Sequence, residues 1–369
     1  MNDKKKIETV YPLSPLQEGM LFHSAADPAA GLYFEQTSYT LEGRLDVERF
    51  RRAWECVIER HAILRTAFNK AGTAQVVFKR ASAPWTCLDW RELMESQRAS
   101  ELQAYLARDR AEGFDVTNAP LLRFTLIRLT DTSYKFVVSY HHVLLDGWSY
   151  VRVLNEVTTF YEALGRDAEL HLPEPRPYRD YIKWLKQQDQ TQSEAFWRGR
   201  LSGIAEPTSL ADAFTGGAPG GKLCEIECII DSDATGLTEL TRRAQITLNT
   251  LVQGGWGLLL SRYVGRPDVV FGATVSGRPP ALAGVEQMIG LFINTLPVRV
   301  QVGAGVSVTS WLRQLQREAA DAYAYQHARL TDVHAWSEVA AGRALFDTLV
   351  VFENYPAGGA TGAVSGGEA

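Results

Sequence analysis

The segment that most constrains the fold is a strand-like run that passes into a helix through His141–Gly147 (HHVLLDG). The residues Tyr134, Phe136, Val138 and Tyr140 alternate with Lys135, Val137 and Ser139, which is the period-two pattern of a half-buried strand. From Tyr150 to Leu164, large apolar residues recur at spacings of three and four, which is the pattern of a buried helix face. The sequence therefore predicts a strand, a short polar loop and a helix in direct succession, so the fold combines α and β elements.

Length and composition indicate a globular protein of two domains. The chain has 369 residues, of which 46% are hydrophobic and 22% charged. The proline-rich stretch 172–177 (LPEPRP) predicts a boundary between a domain at 1–175 and one at 176–369. A net charge of −5 argues against nucleic acid or a membrane surface as the partner, and no apolar run reaches the roughly 18 residues of a membrane span. Scattered cysteines and the lack of a signal-peptide pattern predict a reduced, cytoplasmic protein.

Periodicity predicts further strands and helices on both sides of this boundary. The predicted strands are 33–41, 75–78, 121–129, 134–142, 224–230, 268–274, 289–300 and 345–353. The predicted helices are 13–24, 150–164, 231–244, 248–264 and 307–325, together with one that follows an N-cap at Asp46. The Gly- and Ala-rich tail 357–369 predicts a flexible loop.

Two histidines and an aspartate in an apolar setting have several interpretations. Alternation along a strand places His141 and His142 on opposite faces, which disfavours a shared metal site. The other histidines form no cluster with the spacing of metal ligands. No serine-hydrolase elbow, P-loop or dinucleotide motif is present. A short HxxxD pattern taken alone is more often a buried structural histidine with an Asp–Arg pair than a catalytic site.

Six other motifs accompany this run along the chain. They are Tyr11–His23 (YPLSPLQEGMLFH), Arg60–Phe68 (RHAILRTAF), Tyr178–Trp184 (YRDYIKW), Val275–Pro279 (VSGRP), Ile289–Pro297 (IGLFINTLP) and Phe352–Pro356 (FENYP). Together with the HHxxxDG pattern, they resemble the motifs of condensation domains from nonribosomal peptide synthetases, in the order of that family and over nearly the whole chain.

The resemblance implies a mixed α/β sandwich fold. Two lobes, each similar to a chloramphenicol acetyltransferase subunit, would form a pseudo-dimer in a V with a central tunnel. Family members continue past the FENYP region into further strands and a helix. The second lobe is therefore expected to be truncated, and we expect the 369 residues alone not to form a fully active domain.

The resemblance also implies the roles of the site residues. His142, the second histidine, would be catalytic, either as a base or as the group that orients the attacking amine. Asp146 would hold the loop by pairing with an arginine, for which Arg65 and Arg278 are the candidates. The other implied site residues are His141 and Gly147, which would support the active site, and Trp148, Ser276 and Asn294, which would line the tunnel.

The implied reaction is amide formation between two substrates held on phosphopantetheine arms. The partners would be an upstream donor and a downstream acceptor peptidyl carrier protein, beside an adenylation domain. The chain itself would bind no cofactor and no metal. Two alternatives stay open. An epimerization domain shares the HHxxxDG pattern, but the corresponding segment 272–278 lacks the carboxylate of its second motif. The second alternative is a non-catalytic fragment that docks carriers.

Overall fold

The computed structural model describes residues 6–27, 30–166, 170, 172–214, 224–228, 230, 234–303 and 305–353. This part of the chain forms two compact units. The first comprises 6–187 and 278–292, and the second comprises 188–277 and 293–353. The sequence placed the boundary at residue 175, which lies inside the first unit. It also did not anticipate that a segment from the second half of the chain, 278–292, belongs to the first unit.

The first unit is built on a four-stranded sheet and a small three-stranded sheet. Its strands are β1 (Ile7–Pro12), β2 (Phe34–Glu42), β3 (Thr66–Phe68), β4 (Ala74–Phe78), β5 (Trp85–Asp89), β6 (Leu122–Arg128) and β7 (Ser133–His141). Its helices are α1 (Pro15–Ala26), α2 (Val47–Arg60), α3 (Glu95–Glu112), α4 (Gly147–Gly165) and α5 (Tyr178–Lys186). The larger sheet has the order β2-β7-β6-β5, with only β5 and β6 parallel, and the smaller has the order β1-β4-β3.

The core of the first unit lies between the larger sheet and helices α2 and α4. Trp54 of α2 packs on Phe124 of β6, with ring centroids 4.4 Å apart. Phe136 of β7 and Val153 of α4 belong to the same cluster of buried side chains. Every residue from Phe136 to His141 is buried, whereas alternation predicted a strand with one exposed face. The difference arises because both faces are covered: one packs on α2 and α4, and on the other the hydroxyl of Ser139 bonds to Asp109 of α3.

The second unit contains a three-stranded sheet and six helices among its described residues. The helices are α6 (Gln190–Leu201), α7 (Leu210–Ala213), α8 (Ala234–Ala244), α9 (Leu248–Tyr263), α10 (Val308–Tyr323) and α11 (Leu330–Ala335). The strands are β8 (Asp268–Val275), β9 (Asn294–Gln301) and β10 (Leu349–Val350), in the order β10-β8-β9. Strand β8 pairs antiparallel with β9 and parallel with β10.

Most predicted elements are present, and three predicted strands differ. The strand predicted at 289–300 begins only at Asn294, because 290–292 is held by hydrogen bonds to the first unit. The strand predicted at 345–353 is reduced to Leu349–Val350. The described residues of 224–230 form no strand, although their composition favours one. Residues 354–356 of the FENYP motif and the tail 357–369 lie outside the described residues.

Candidate active site

The HHVLLDG loop continues directly from β7 and ends at the first residue of α4. The N–H of His142 donates to the carbonyl of Tyr33 at 2.8 Å, so the pairing of β7 with the chain at β2 extends one residue beyond the strand. The N–H of Leu144 then donates to the carbonyl of His141, and that of Leu145 to His142. These two bonds form a turn directly after β7, so both histidines lie where this central strand ends.

His142 is half-buried and has an unsatisfied ring nitrogen. Its Nδ1 atom is shielded from solvent and has no hydrogen-bond partner in the described part of the chain. Most buried polar atoms in proteins are hydrogen-bonded, and the exceptions are often found at functional sites. Within the described chain, no protein group therefore holds this nitrogen by a hydrogen bond.

His141 is held differently from its neighbour. Its side chain is 4% exposed, and its Nδ1 atom accepts a hydrogen bond from the N–H of Val143 at 3.1 Å. Burial, and to a lesser extent the charge of His142, lower the pKa of His141 to about 4. His141 is therefore uncharged at neutral pH, and one of its ring nitrogens supports the turn.

Asp146 joins the start of α4 to a segment far away in sequence. Its carboxylate caps the helix by accepting the N–H of Ser149 at 2.7 Å. The same carboxylate accepts the N–H of Phe292 at 2.9 Å and lies 3.5 Å from the Arg278 guanidinium. Asp146 is 1% exposed and Arg278 is 3% exposed. A buried carboxylate requires this kind of compensation from several donors.

Arg278 is the arginine that partners Asp146. Its guanidinium also donates to the carbonyls of Val285 and Met288 and lies 4.0 Å from the centre of the Phe292 ring. Burial lowers the pKa of Arg278, and the charge of Asp146 opposes this effect. The guanidinium is therefore surrounded by acceptors within a single buried network.

Arg65, the other candidate, does not pair with Asp146. It follows α2, and its guanidinium contacts Glu8 at 2.8 Å and the carbonyl of Ile58 at 3.2 Å. It also donates to the carbonyl of Phe78. The Arg65 side chain is thus directed toward β1 and the end of β4, where it ties the small sheet to α2. Its predicted role at the active site is corrected to a structural one.

Ser149 and Gly290 belong to this network, although neither was predicted from the sequence. The Ser149 hydroxyl donates to the carbonyl of Gly290 at 2.7 Å and accepts from the Gly290 N–H and the Arg278 guanidinium. A Cβ on Gly290 would lie 2.2 Å from the Tyr178 ring, so only glycine fits without movement. The position of Gly290 inside the IGLFINTLP motif was the one available signal.

The remaining predicted site residues are distributed over both units. Gly147 is half-buried and begins α4, and the buried Trp148 Nε1 atom beside it lacks a hydrogen-bond partner in the described chain. Ser276 belongs to the second unit, where its hydroxyl contacts that of Tyr323. Asn294 also belongs to the second unit, and its amide donates to the carbonyls of Gln326 and Ala328. That Trp148, Ser276 and Asn294 line a tunnel stays a prediction.

Membrane-spanning helices and metal clusters are both absent from the described ranges. Among the described residues, no helix combines the length and apolar character needed to cross a bilayer. Within the same ranges, no group of three or more His, Cys, Asp or Glu side chains is arranged to hold a metal ion.

Relatives in sequence are large synthetases. A family model described as Condensation domain matches residues 7–363. One of the linear gramicidin synthase proteins of Brevibacillus parabrevis is 46% identical over 368 residues, which are 97% of this chain and 5% of that protein. Bacitracin synthase 3 of Bacillus licheniformis is 40% identical over 357 residues, which are 95% of this chain and 6% of that protein. The chain therefore spans a small part of the length of the curated relatives it matches.

Solved structures show the same fold at low sequence identity. The first condensation domain of the calcium-dependent antibiotic synthetase, in complex with a substrate analogue, has a TM-score of 0.75 at 18% identity and covers 93% of this chain and 80% of its own. The starter condensation domain of rhizomide synthetase has a TM-score of 0.75 at 20% identity, with coverages of 93% and 78%. The mixed α/β architecture is thus the chloramphenicol acetyltransferase-like fold of these domains. Motifs, family model and fold agree, and the chain belongs to the condensation-domain family of nonribosomal peptide synthetases.

Proposed function

We propose that this domain forms an amide bond between two carrier-bound substrates. The α-amine of an acceptor aminoacyl thioester attacks the carbonyl carbon of a donor acyl or peptidyl thioester. The new C–N bond forms as the C–S bond breaks, and the donor's phosphopantetheine thiol leaves with the proton that the amine loses. The observation that carries the proposal is His142, whose Nδ1 atom is buried and unpaired on a loop that the Asp146 network holds in place.

His142 serves this reaction in one of two ways. Its imidazole can accept the proton of the attacking amine. It can also orient the amine and stabilise the charge that develops on it. Both roles need a ring nitrogen without a protein partner, and His142 Nδ1 meets this requirement within the described chain. His141 cannot accept the proton in its place, because the Val143 N–H occupies its unprotonated nitrogen, Nδ1, and burial lowers the pKa of His141 to about 4.

The proposal includes partners that present the substrates. An upstream donor carrier and a downstream acceptor carrier each bring a phosphopantetheine arm, and an adenylation domain of the same synthetase supplies the acceptor amino acid. The domain itself binds no cofactor. Its relatives are multidomain synthetases, which supports this arrangement.

Reconstituted condensation is the direct test. Donor and acceptor carriers are loaded, the protein is added, and the condensed product is measured by mass spectrometry. We expect product with the native protein and a loss of about 10²- to 10⁴-fold in rate with His142→Ala, the range usual for a general acid–base residue. His334→Ala is the matched control, because His334 lies on α11 in the second unit and bonds to the carbonyl of Arg343.

Each other outcome contradicts the proposal in a recognisable way. An unchanged rate in His142→Ala would remove His142 from the chemistry. Inversion of the donor α-carbon without amide formation would indicate an epimerization domain. Carrier binding by the native protein with no product would indicate a docking module.

A further inference from the structure

One side chain of helix α1 reaches the HHVLLDG loop. Gln17, within the YPLSPLQEGMLFH motif, is fully buried, and its Nε2 atom donates to the carbonyl of Val143 at 3.1 Å. Val143 directly follows His142 and is also fully buried. Among the described residues, no other group donates to this carbonyl. The contact therefore satisfies a buried backbone acceptor in the middle of the loop.

The Gln17 amide is held in one orientation by its other partners. Its Oε1 atom accepts the N–H of Ser14 at 2.9 Å and the Nε2–H of Gln75 at 2.8 Å. Its Nε2 atom also donates to Gln75 Oε1 at 3.3 Å. A backbone N–H can only donate and a carbonyl can only accept, so Ser14 and Val143 fix which end of the amide faces which partner. The amide thus uses all of its donors and acceptors, and it joins α1, β4 and the loop at one point.

The contact lies between the two other places where the loop is held. Before it, the N–H of His142 donates to the carbonyl of Tyr33, and after it the Asp146 carboxylate caps α4. Gln17 fixes the peptide that follows Val143. Without Gln17 that peptide would rotate toward another donor, because a buried carbonyl without a partner is costly. Such a rotation changes the backbone next to His142 and displaces its ring.

We propose that Gln17 is a positioning residue for condensation, which holds the His142 ring at the reacting amine through the Val143 carbonyl. This role rests on the proposed function, because Gln17 acts only through the step that His142 serves. A residue of this kind contributes to the transition state and not to the binding of either carrier. Its loss is therefore expected to lower kcat and to leave both KM values unchanged.

Gln17 is also part of the capping box of α1, so a positioning role has to be separated from a structural one. Gln17→Met replaces the amide by a flexible apolar side chain of similar length and removes every bond of the amide. Gln75→Met, on β4, is the matched control. It removes the buried bonds to Gln17 and to the carbonyl of Pro12, but it leaves the bond from Gln17 to Val143.

A second substitution at the same position isolates the donor. Gln17→Glu keeps an oxygen that accepts from Ser14 and Gln75, so the capping box of α1 is retained. It places an oxygen, instead of an N–H group, against the Val143 carbonyl. A loss that Gln17→Glu shares with Gln17→Met is therefore due to the missing donor.

Rates are measured with loaded donor and acceptor carriers, below the unfolding midpoint of the least stable variant. We expect kcat to fall about tenfold to a hundredfold in Gln17→Met and Gln17→Glu, with both KM values within about twofold, because a small displacement of a catalytic group has an effect of this size. Gln75→Met should lower the unfolding midpoint as Gln17→Met does but keep kcat within about twofold. An unchanged kcat in Gln17→Met, or equal losses of kcat in Gln17→Met and Gln75→Met, would overturn the proposal.

Hydrogen exchange followed by mass spectrometry gives a second readout, which needs no turnover. Peptides that cover 142–146 should exchange faster in Gln17→Met and at the native rate in Gln75→Met. If the native protein forms no amide, the proposed function fails, and this comparison still decides whether Gln17 holds the loop. Equal exchange of 142–146 in the two variants would contradict the role of Gln17, whether or not the native protein is active.

Discussion

At the scale of single residues, Asp146 makes the contacts that connect the HHVLLDG loop to the rest of the site. One carboxylate caps α4, accepts the N–H of Phe292 and faces the guanidinium of Arg278. Both charges are almost fully buried. A buried ion pair adds little to the stability of a fold compared with apolar residues of the same size. Removing one partner, however, leaves the other charge buried without compensation.

Asp146→Asn should therefore destabilise the fold strongly. The asparagine still caps the helix, but it leaves Arg278 without its carboxylate, and we expect a loss of about 3 kcal/mol or more in the free energy of unfolding in urea. The double variant Asp146→Asn with Arg278→Met should recover part of this loss. Asp180→Asn is the control, because Asp180 pairs with Arg176 and Lys183 near the surface, where such a pair contributes about 0.5 kcal/mol. Equal losses at Asp146 and Asp180 would contradict the compensation argument.

The sequence predicted an arginine partner for Asp146 but did not decide between Arg65 and Arg278. The choice depends on which segment packs against α4, and that is settled by contacts between residues 132 positions apart. Ser149 was missed for a similar reason. A serine in the first turn of a helix is common, and its bonds to Gly290 and Arg278 become visible only in the folded chain. The strand–loop–helix order, by contrast, follows from local periodicity and was predicted.

At the scale of elements, helices α2 and α4 are joined by a second polar cluster outside the HHVLLDG loop. Glu156 of α4 accepts a hydrogen bond from His61 at 2.6 Å and from Arg60 at 3.2 Å. Burial alone would raise the pKa of Glu156, but the hydrogen bond and charge of His61, followed by the charges of Arg60 and Arg152, outweigh it. The pKa of Glu156 is therefore below its ordinary value of 4.5.

This cluster should make the stability of the protein depend on pH in the acid range. A carboxyl whose pKa is lower in the folded than in the unfolded state adds stability above its unfolded pKa and loses it as the pH falls through its folded pKa. The difference in unfolding free energy between the native protein and Glu156→Gln should thus be largest near neutral pH and shrink below about pH 4.5. Glu162→Gln, on an exposed position of the same helix, reports the effect of removing one charge. A difference that grows toward acid pH would contradict the lowered pKa of Glu156.

Elements with regular periodicity were predicted well, and elements defined by distant contacts were not. Helix α9 and strand β8 lie close to the predicted 248–264 and 268–274. The apolar run 289–300 reads as one strand, yet its first part supplies Gly290 and Phe292 to the Asp146 network. Hydrophobicity alone does not distinguish a buried strand from a buried loop whose backbone groups are bonded to side chains.

At the scale of the whole molecule, chain order and structural unit do not coincide. Residues 278–292 come after more than half of the second unit in sequence, but they pack in the first. Their apolar side chains, among them Leu282 and Met288, join the core cluster that contains α2 and α4. The network around Asp146 therefore connects segments within the first unit. Its loss should reduce hydrogen-exchange protection in that unit alone.

Hydrogen exchange followed by mass spectrometry tests this arrangement. The amide of Gly290 bonds to Ser149 Oγ and that of Asp146 to the Gly290 carbonyl, so peptides from 278–292 and 143–150 should be protected together. Ser149→Ala removes the central hydroxyl, and we expect faster exchange in both of these peptides and no change in β8, which belongs to the second unit. Thr158→Ala is the control, since its hydroxyl bonds within α4 to the carbonyl of Leu154. If exchange in Ser149→Ala rises in β8 as much as in 278–292, that segment is coupled to the second unit and its assignment to the first is wrong.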